Sequence, residues 1–211
     1  MRIFGIIIRT EVNKMKEDAS ITEIAERRNG IVLTSDVARI GMHRGSLKYL
    51  ADKGELERVA RGVYVRANAW ADELFVLQSR FKRGIFSCET ALFLHGLTDR
   101  TPESWTMTFP AHYNTGEVER AGVVCHQKAH ALYGEGIAEI RSPYGCDVLC
   151  YSPEVTLCDI LRPNNHVEIQ QVMDAMRSYS KRPDRNLSEL MSRAKQMRVE
   201  KRMRAYMEVL I

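Results

Sequence analysis

The sequence lacks the features that mark membrane, secreted and low-complexity proteins. Its early apolar run spans only residues 3–8, whereas a membrane helix needs about 20 apolar residues and a signal peptide needs a small-residue cleavage site. The 211 residues include 13 glycines and 6 prolines, too few for a collagen-like or low-complexity chain. We therefore expect a cytoplasmic protein that starts at Met1 or Met15, with residues 1–15 a disordered or misassigned extension.

Cysteine is scarce, and its pattern favours neither disulfides nor a metal site. There are five cysteines, and an odd number without a secretion signal argues against a disulfide framework. A zinc site could be assembled from Cys146, Cys150, Cys158 and His126. However, the chain offers no second C-x-x-C pair and no C-x-x-H spacing. We expect buried neutral thiols and no bound metal.

The common catalytic and cofactor-binding motifs are also missing. The chain contains no G-x-x-x-x-G-K-[ST], G-x-G-x-x-G, H-E-x-x-H or G-x-S-x-G segment, so no cofactor and no catalytic residue is predicted. His95 stands before Gly96, which is more typical of a helix C-terminal cap than of a catalytic base. A metal-dependent nuclease built on Asp147, Glu154 and Asp159 remains an alternative, although no lysine completes an E-x-K arrangement after Glu154.

Charge is unevenly distributed along the chain, although the net charge is only +4. Residues 1–66 carry 13 Lys/Arg and 9 Asp/Glu, residues 67–176 carry 8 and 14, and residues 177–211 carry 10 and 4. An acidic middle between two basic ends indicates two functional regions, at least one of which meets a polyanion.

A helix-turn-helix is predicted between residues 34 and 53. Ser35 or Thr34 can cap the first helix, and Gly41 ends it. The second helix is predicted over residues 43–53, where Leu47 and Leu50 face inward. In this motif the second helix enters the major groove with its first residues toward the base edges, where an arginine can donate to guanine. The residues expected to contact DNA on this helix are His43, Arg44, Ser46, Lys48 and Tyr49.

The following residues predict a β-hairpin, which would be the wing of a winged helix-turn-helix. Residues 55–59 and 63–66 alternate in polarity around the turn at residues 60–62. Arg58 and Arg61 would lie near its tip, on the phosphates or in the minor groove. A helix over residues 20–28, with Ser20 and Glu23 at capping-box spacing, completes a domain predicted to span residues 16–66.

Residues 67–211 are predicted to form an α+β domain. Helices are expected over residues 72–81 and 88–95, strands between residues 105 and 151, and helices afterwards. Ser87 can cap the second of these helices. The tail is predicted to be helical over residues 167–179 and 187–210. Its basic last helix either contacts nucleic acid or an acidic partner, or is a solvated face over a Met/Leu packing stripe.

Three segments in order resemble the AbiE-type antitoxins of bacterial type IV toxin–antitoxin systems. The strongest is the wing, residues 56–64, L-E-R-V-A-R-G-V-Y, preceded by the helix-turn-helix that begins near residue 31. Residues 87–97, S-C-E-T-A-L-F-L-H-G-L, and residues 151–161, Y-S-P-E-V-T-L-C-D-I-L, resemble two later stretches of that family. The resemblance covers about residues 20–180.

The resemblance implies a non-enzymatic transcriptional autorepressor. Such proteins bind inverted repeats of double-stranded DNA in their own promoter through the winged helix, which implies two copies on the DNA. Their C-terminal domain is associated with neutralising a nucleotidyltransferase-like toxin, often without a stable complex. Direct contact with the toxin remains an alternative, as does the nuclease above.

Overall fold

The computed structural model describes residues 20–43 and 45–210 and divides the chain into two compact units. The first unit extends to Arg80 and includes Ser142–Cys146; the second comprises Phe81–Arg141 and the residues from Asp147 onward. The predicted extension at residues 1–15 lies outside the described residues. No helix in the described ranges is long and apolar enough to span a bilayer.

The first unit has the element order of a winged helix. Residues 20–27 are helical and are termed α1. A three-stranded antiparallel sheet with the order β1-β3-β2 packs beside the helices. The further elements are β1 (Ile31–Leu33), α2 (Thr34–Arg39), α3 (Gly45–Asp52), β2 (Leu56–Ala60), β3 (Val63–Arg66) and α4 (Glu73–Arg80).

Helix α4 continues the first unit beyond residue 66, where the sequence placed the domain boundary. Leu74 and Leu77 of α4 are buried, and the helix packs against β2 and β3. Phe75 and Val76 add to the apolar cluster formed by Ile31, Val63, Val65 and Cys146. The boundary differs because the outer face of this small sheet is apolar and requires a covering element.

The second unit contains a five-stranded mixed sheet with the order β6-β5-β4-β8-β7. The pairs β5–β6 and β4–β8 are parallel and the other two pairs are antiparallel. The strands predicted between residues 105 and 151 are therefore confirmed. The five strands of the sheet are β4 (Ile85–Phe86), β5 (Thr106–Pro110), β6 (Val124–Lys128), β7 (Ile137–Arg141) and β8 (Asp147–Tyr151).

Helices pack around this sheet and supply most of the core, which confirms the α+β class. Tyr151, Leu157, Met176 and Met203 belong to one buried apolar cluster. The helices are α5 (Cys88–Leu94), α6 (Gly116–Arg120), α7 (His130–Tyr133), α8 (Pro153–Ile160), α9 (Ile169–Ser180), α10 (Leu187–Gln196) and α11 (Glu200–Leu210), with a short 3-10 helix at Pro163–Asn165. The sequence analysis did not predict α6 and α7.

Two local predictions in the second unit differ from the structure. Ser87 is the N-cap residue of α5, but its side chain makes no capping hydrogen bond; the hydroxyl instead accepts one from Thr108 Oγ1 at 2.8 Å. The predicted helix over residues 187–210 is interrupted, because Arg198 adopts a left-handed backbone with φ of 60°. The interruption lets Met197 and Val199 both reach the core.

Candidate nucleic-acid interface

The start of the helix-turn-helix is held by Asp36, whose side chain is 5% exposed. Its carboxylate accepts hydrogen bonds from the Leu33 backbone N–H at 3.2 Å, from Arg28 at 2.6 Å and from Arg39 at 3.2 Å. The predicted caps Ser35 and Thr34 are wrong, since α2 begins at Thr34 with Leu33 as its N-cap residue. A charged acceptor at the third helical position takes the cap N–H more strongly than a hydroxyl would.

Helix α3 is fixed by its buried face, as predicted. Leu47 and Leu50 lie in the core of the first unit with Ile21, Val32 and Val37. On the other side Lys48 is exposed and Ser46 is half-buried. Because α3 is anchored through two leucines, its outer side chains have a defined direction in space.

Of the other three residues proposed for this helix, Tyr49 differs from the prediction. Tyr49 is half-buried against the core, with Lys53 Nζ 4.7 Å from its ring centre, whereas an outward side chain was expected. His43 is exposed, and its Nδ1 accepts the Gly45 N–H at 3.1 Å. This bond caps the start of α3 and leaves Nε2 as the ring nitrogen that can reach a ligand. Arg44 lies outside the described residues.

The wing is held beside the helix-turn-helix by a backbone hydrogen bond. The Thr34 N–H donates to the Gly62 carbonyl at 2.9 Å, which joins the hairpin turn to the start of α2. Arg61 precedes Gly62 in this turn and is exposed. Arg58 lies opposite Tyr64 and is also exposed. The strand register shifts just after Arg58, and the intervening Val59 is 40% exposed.

Three exposed cations of α3 and the wing differ from four other cations of the unit in their ion pairing. Lys48, Arg58 and Arg61 form no ion pair with any other residue that the structure describes. By contrast, Arg27 pairs with Glu23, Arg28 and Arg39 with Asp36, and Lys53 with Glu55. A cation without a protein carboxylate loses no ion pair when it meets a phosphate, so these three are suited to a polyanion.

The residues proposed for a zinc site or a nuclease site in the second unit do not form a metal-binding cluster. In the part of the chain that is described, no group of three or more His, Cys, Asp and Glu side chains could hold a metal. Each carboxylate of the nuclease alternative has a different partner: Asp147 faces Arg141 at 3.8 Å, Glu154 accepts from Tyr179 at 2.8 Å, and Asp159 pairs with Lys128 at 2.7 Å. The structure therefore gives the nuclease and zinc alternatives no support.

His95 is the C-cap residue of α5. Its Nε2 lies 2.7 Å from the Tyr151 carbonyl oxygen, so the ring must donate from that nitrogen. Arg182 donates to the His95 carbonyl at 3.1 Å. Burial lowers the pKa of His95 below its ordinary value. The neutral His95 ring, which donates a hydrogen bond to a main-chain carbonyl, is therefore a structural link between α5 and β8.

The buried pair of Lys128 and Asp159 braces the core of the same unit. Both side chains are almost inaccessible, and Lys128 Nζ also lies 3.6 Å from the centre of the Tyr151 ring. Asp159 Oδ1 has no hydrogen-bond partner among the described residues. Burying such a pair costs desolvation that its attraction only partly offsets, so it fixes the arrangement of β6 and α8 more than it adds stability.

Comparisons with known proteins match both parts of the chain. A family model described as "Transcriptional regulator, AbiEi antitoxin" matches residues 20–67, and one described as "AbiEi antitoxin C-terminal domain" matches residues 84–209. Among solved structures the chain is similar to the RV2827C protein from Mycobacterium tuberculosis, at a TM-score of 0.51 and 15% identity over 89% of this chain and 78% of that chain. That likeness concerns the fold alone. No curated protein matches the sequence.

Proposed function

The chain belongs to the AbiEi antitoxin family of transcriptional regulators, and from this premise we propose that it binds double-stranded DNA in its own promoter as an autorepressor. The observation that carries the proposal is the placement of exposed cations without ion pairs on both α3 and the wing. The Thr34–Gly62 hydrogen bond joins the wing to the start of α2, the first helix of the helix-turn-helix. A winged helix contacts DNA with the elements that correspond to α3 and the wing.

In the proposed complex, α3 lies in the major groove. Arg44, which directly precedes α3 in the sequence, donates to a guanine, while His43 and Ser46 reach base edges or phosphates. Lys48 and Tyr49 contact the backbone flanking the groove. Arg58 and Arg61 of the wing hold the adjacent phosphates or enter the minor groove. No step of this function requires a catalytic residue or cofactor.

The remaining parts of the proposal concern partners. Inverted repeats in the promoter would be occupied by two copies of the chain, one for each half-site. The second unit would neutralise a nucleotidyltransferase-like toxin, either indirectly or by direct contact. Because its operator is chromosomal or plasmid DNA, we place the protein in the cytoplasm.

The test is fluorescence anisotropy with a labelled duplex from upstream of the gene and a random duplex of equal length. We expect saturable, salt-sensitive binding with a clear preference for the upstream duplex. Arg44→Ala should weaken binding to the upstream duplex by about 1–3 kcal/mol and reduce the preference, whereas Arg61→Ala should weaken binding to both.

The matched control is Arg27→Ala, which removes an exposed arginine of α1 that pairs with Glu23. It should leave both affinities within experimental error. Equal affinity of the unmodified protein for the two duplexes would contradict a promoter-specific repressor. An equal loss on both duplexes after Arg44→Ala would contradict a base-reading role for that residue.

A further inference from the structure

An apolar groove lies on the surface of the second unit between α9 and α11. We call it the tail groove; it is lined by Met173, Arg177, Ala205, Tyr206, Val209 and Leu210 and has a volume of about 290 Å³. Val209 is 84% exposed and Met173 is 40% exposed, and Ile169, one turn before Met173, is 64% exposed. Large apolar side chains of two successive turns of α9 and of the last turn of α11 are therefore exposed to solvent.

This exposure is not explained by the packing of the two helices. Helix α9 already buries a full face that includes Val172, Ala175, Met176 and Tyr179, and α11 buries Met203 and Met207. The apolar positions of the tail groove form a second strip beside that face. Contiguous exposed apolar side chains of this kind are typical of a binding surface, and a methionine adapts its shape to a partner.

The surroundings of the tail groove are cationic. Arg177 lines it. Arg202 lies one turn before Tyr206 on α11, and its guanidinium donates to the Leu161 carbonyl at 2.8 Å. In residues 177–210, six cations have no acidic partner among the described residues: Lys181, Arg185, Lys195, Arg198, Lys201 and Arg202. Glu208 is the one acidic residue of that segment that has no basic partner among the described residues. Asp174 of α9 already faces Arg177 at 3.5 Å.

We infer that the tail groove binds an acidic amphipathic helix of a partner protein. Apolar side chains of that helix would enter between α9 and α11, and its flanking carboxylates would meet Arg177, Arg202 and the neighbouring cations. The inference rests on the antitoxin part of the proposed function and is independent of DNA binding, since every contributing residue is in the second unit.

Two other occupants fit these observations less well. A second copy that docked through the same groove would bring two copies of the same cationic patch together, because a two-fold interface is formed by the same surface of both subunits, and like charges oppose such a contact. Nucleic acid would use the cations but would leave Val209, Met173 and Ile169 exposed, since the phosphate backbone offers no apolar face to them.

The experiment uses the full chain and a labelled helical peptide of about 18 residues, long enough to fold as a helix. Its apolar positions are leucines at i, i+3, i+4 and i+7, and its other positions are mostly glutamates. The comparison peptide has lysine in place of every glutamate. We expect anisotropy titrations to give the acidic peptide a Kd at least about tenfold lower than that of the lysine peptide.

Variants assign that binding to the tail groove. Val209→Asp and Met173→Asp should each weaken binding of the acidic peptide about tenfold or more, and the exposure of both positions makes loss of fold unexpected. The matched control is Val124→Asp, at a 45% exposed valine of β6 in the same unit, which should change nothing. In a methyl NMR spectrum, the peptide should shift Met173 and leave the fully buried Met176 in place.

Several outcomes would overturn the inference. These are no binding at millimolar peptide, equal binding of the two peptides, or binding that Val209→Asp leaves unchanged. Displacement of the acidic peptide by a random DNA duplex would assign the surface to nucleic acid. A dimer in sedimentation velocity that Val209→Asp dissociates would assign it to a second copy. Promoter binding, measured on the same variants, reports separately on the proposed repressor function.

Discussion

At the scale of single residues, a histidine illustrates how burial sets the response to acid. His95 donates from Nε2 to the Tyr151 carbonyl, and its pKa is lowered chiefly by burial, with Arg182 adding to the effect. The native protein therefore binds fewer protons at this site than the unfolded chain when the pH falls below about 6.5. Stability rises with pH wherever the unfolded state binds more protons, so acidification through this range destabilises the fold.

We predict that His95→Gln reduces this acid sensitivity, because glutamine can still donate to the Tyr151 carbonyl but does not titrate. The free energy of unfolding should be measured by urea denaturation at pH 7.5 and 5.5. The loss on acidification should be smaller in the variant than in the unmodified protein, by at most about 1.4 kcal/mol.

The control for this prediction is His130→Gln, at an exposed histidine of α7, which should leave the acid sensitivity unchanged. If the unmodified protein and His95→Gln lose the same stability between the two pH values, His95 does not carry the proton linkage that its burial indicates.

The candidate contact residues show what sequence can and cannot predict at this scale. The sequence placed Lys48 on the exposed face of α3, because Leu47 and Leu50 marked the inward positions, and it placed Arg58 and Arg61 near the tip of the wing from the turn at residues 60–62. It did not predict Asp36 as the acceptor that holds α2, since Thr34 and Ser35 are equally good caps by residue type. Only the backbone path decides which side chain reaches the free N–H.

At the scale of secondary-structure elements, the tail shows a break that periodicity does not reveal. The apolar spacing of residues 187–210 is compatible with one helix, yet α10 ends at Gln196 and α11 begins at Glu200. Arg198 takes a left-handed conformation, which usually belongs to glycine at the residue after a helix C-cap. Without a glycine or proline at the break, the sequence carries no local signal for it.

We predict that Arg198→Gly stabilises the protein by about 0.5–1 kcal/mol, because glycine adopts a positive φ without the steric penalty of a side chain. Arg198 is exposed and has no ion pair with a described residue, so little is lost with its side chain. Urea denaturation of the variant gives the change directly.

The matched control is Lys195→Gly, at an exposed position within α10, where glycine should cost about 0.5–1 kcal/mol. Destabilisation of similar size at both positions would mean that the left-handed backbone at Arg198 is not a source of strain.

The short helices α6 and α7 were missed for a different physical reason. They comprise five and four residues, and helices of this length are marginal in isolation. Val118, the one buried residue of α6, cannot establish a period. In contrast, the apolar residues of α3 and α9 recur at helical spacing, because each helix carries several of them on one face.

At the scale of the whole molecule, the sequence predicted a basic first part, an acidic middle and a basic tail, but not how the charges pair. Arg193 of the tail meets Glu135 of the acidic middle at 2.5 Å and Glu189 at 2.7 Å, so part of the tail charge is neutralised within the second unit. The tail cations without acidic partners belong to the same segment as the apolar tail groove, which Arg177 lines.

The separate assignments of the wing and tail cations lead to a prediction about salt. Each phosphate contact that is lost should reduce the slope of log affinity against log salt by about 1. For the promoter duplex, the double variant Arg58→Ala/Arg61→Ala should reduce the slope by about 2. The triple variant Lys181→Gln/Lys195→Gln/Lys201→Gln removes more charge but should leave the slope unchanged, because we assign the tail to an acidic protein partner.

Salt titrations of both variants on one duplex therefore separate local contact from overall charge. If net charge alone governed binding, the tail variant, which removes three charges, would change the slope more than the wing variant, which removes two. A smaller slope for the tail variant would assign the tail to DNA and would remove the charge argument for the tail groove. An unchanged slope for the wing variant would instead remove the wing from the proposed DNA interface.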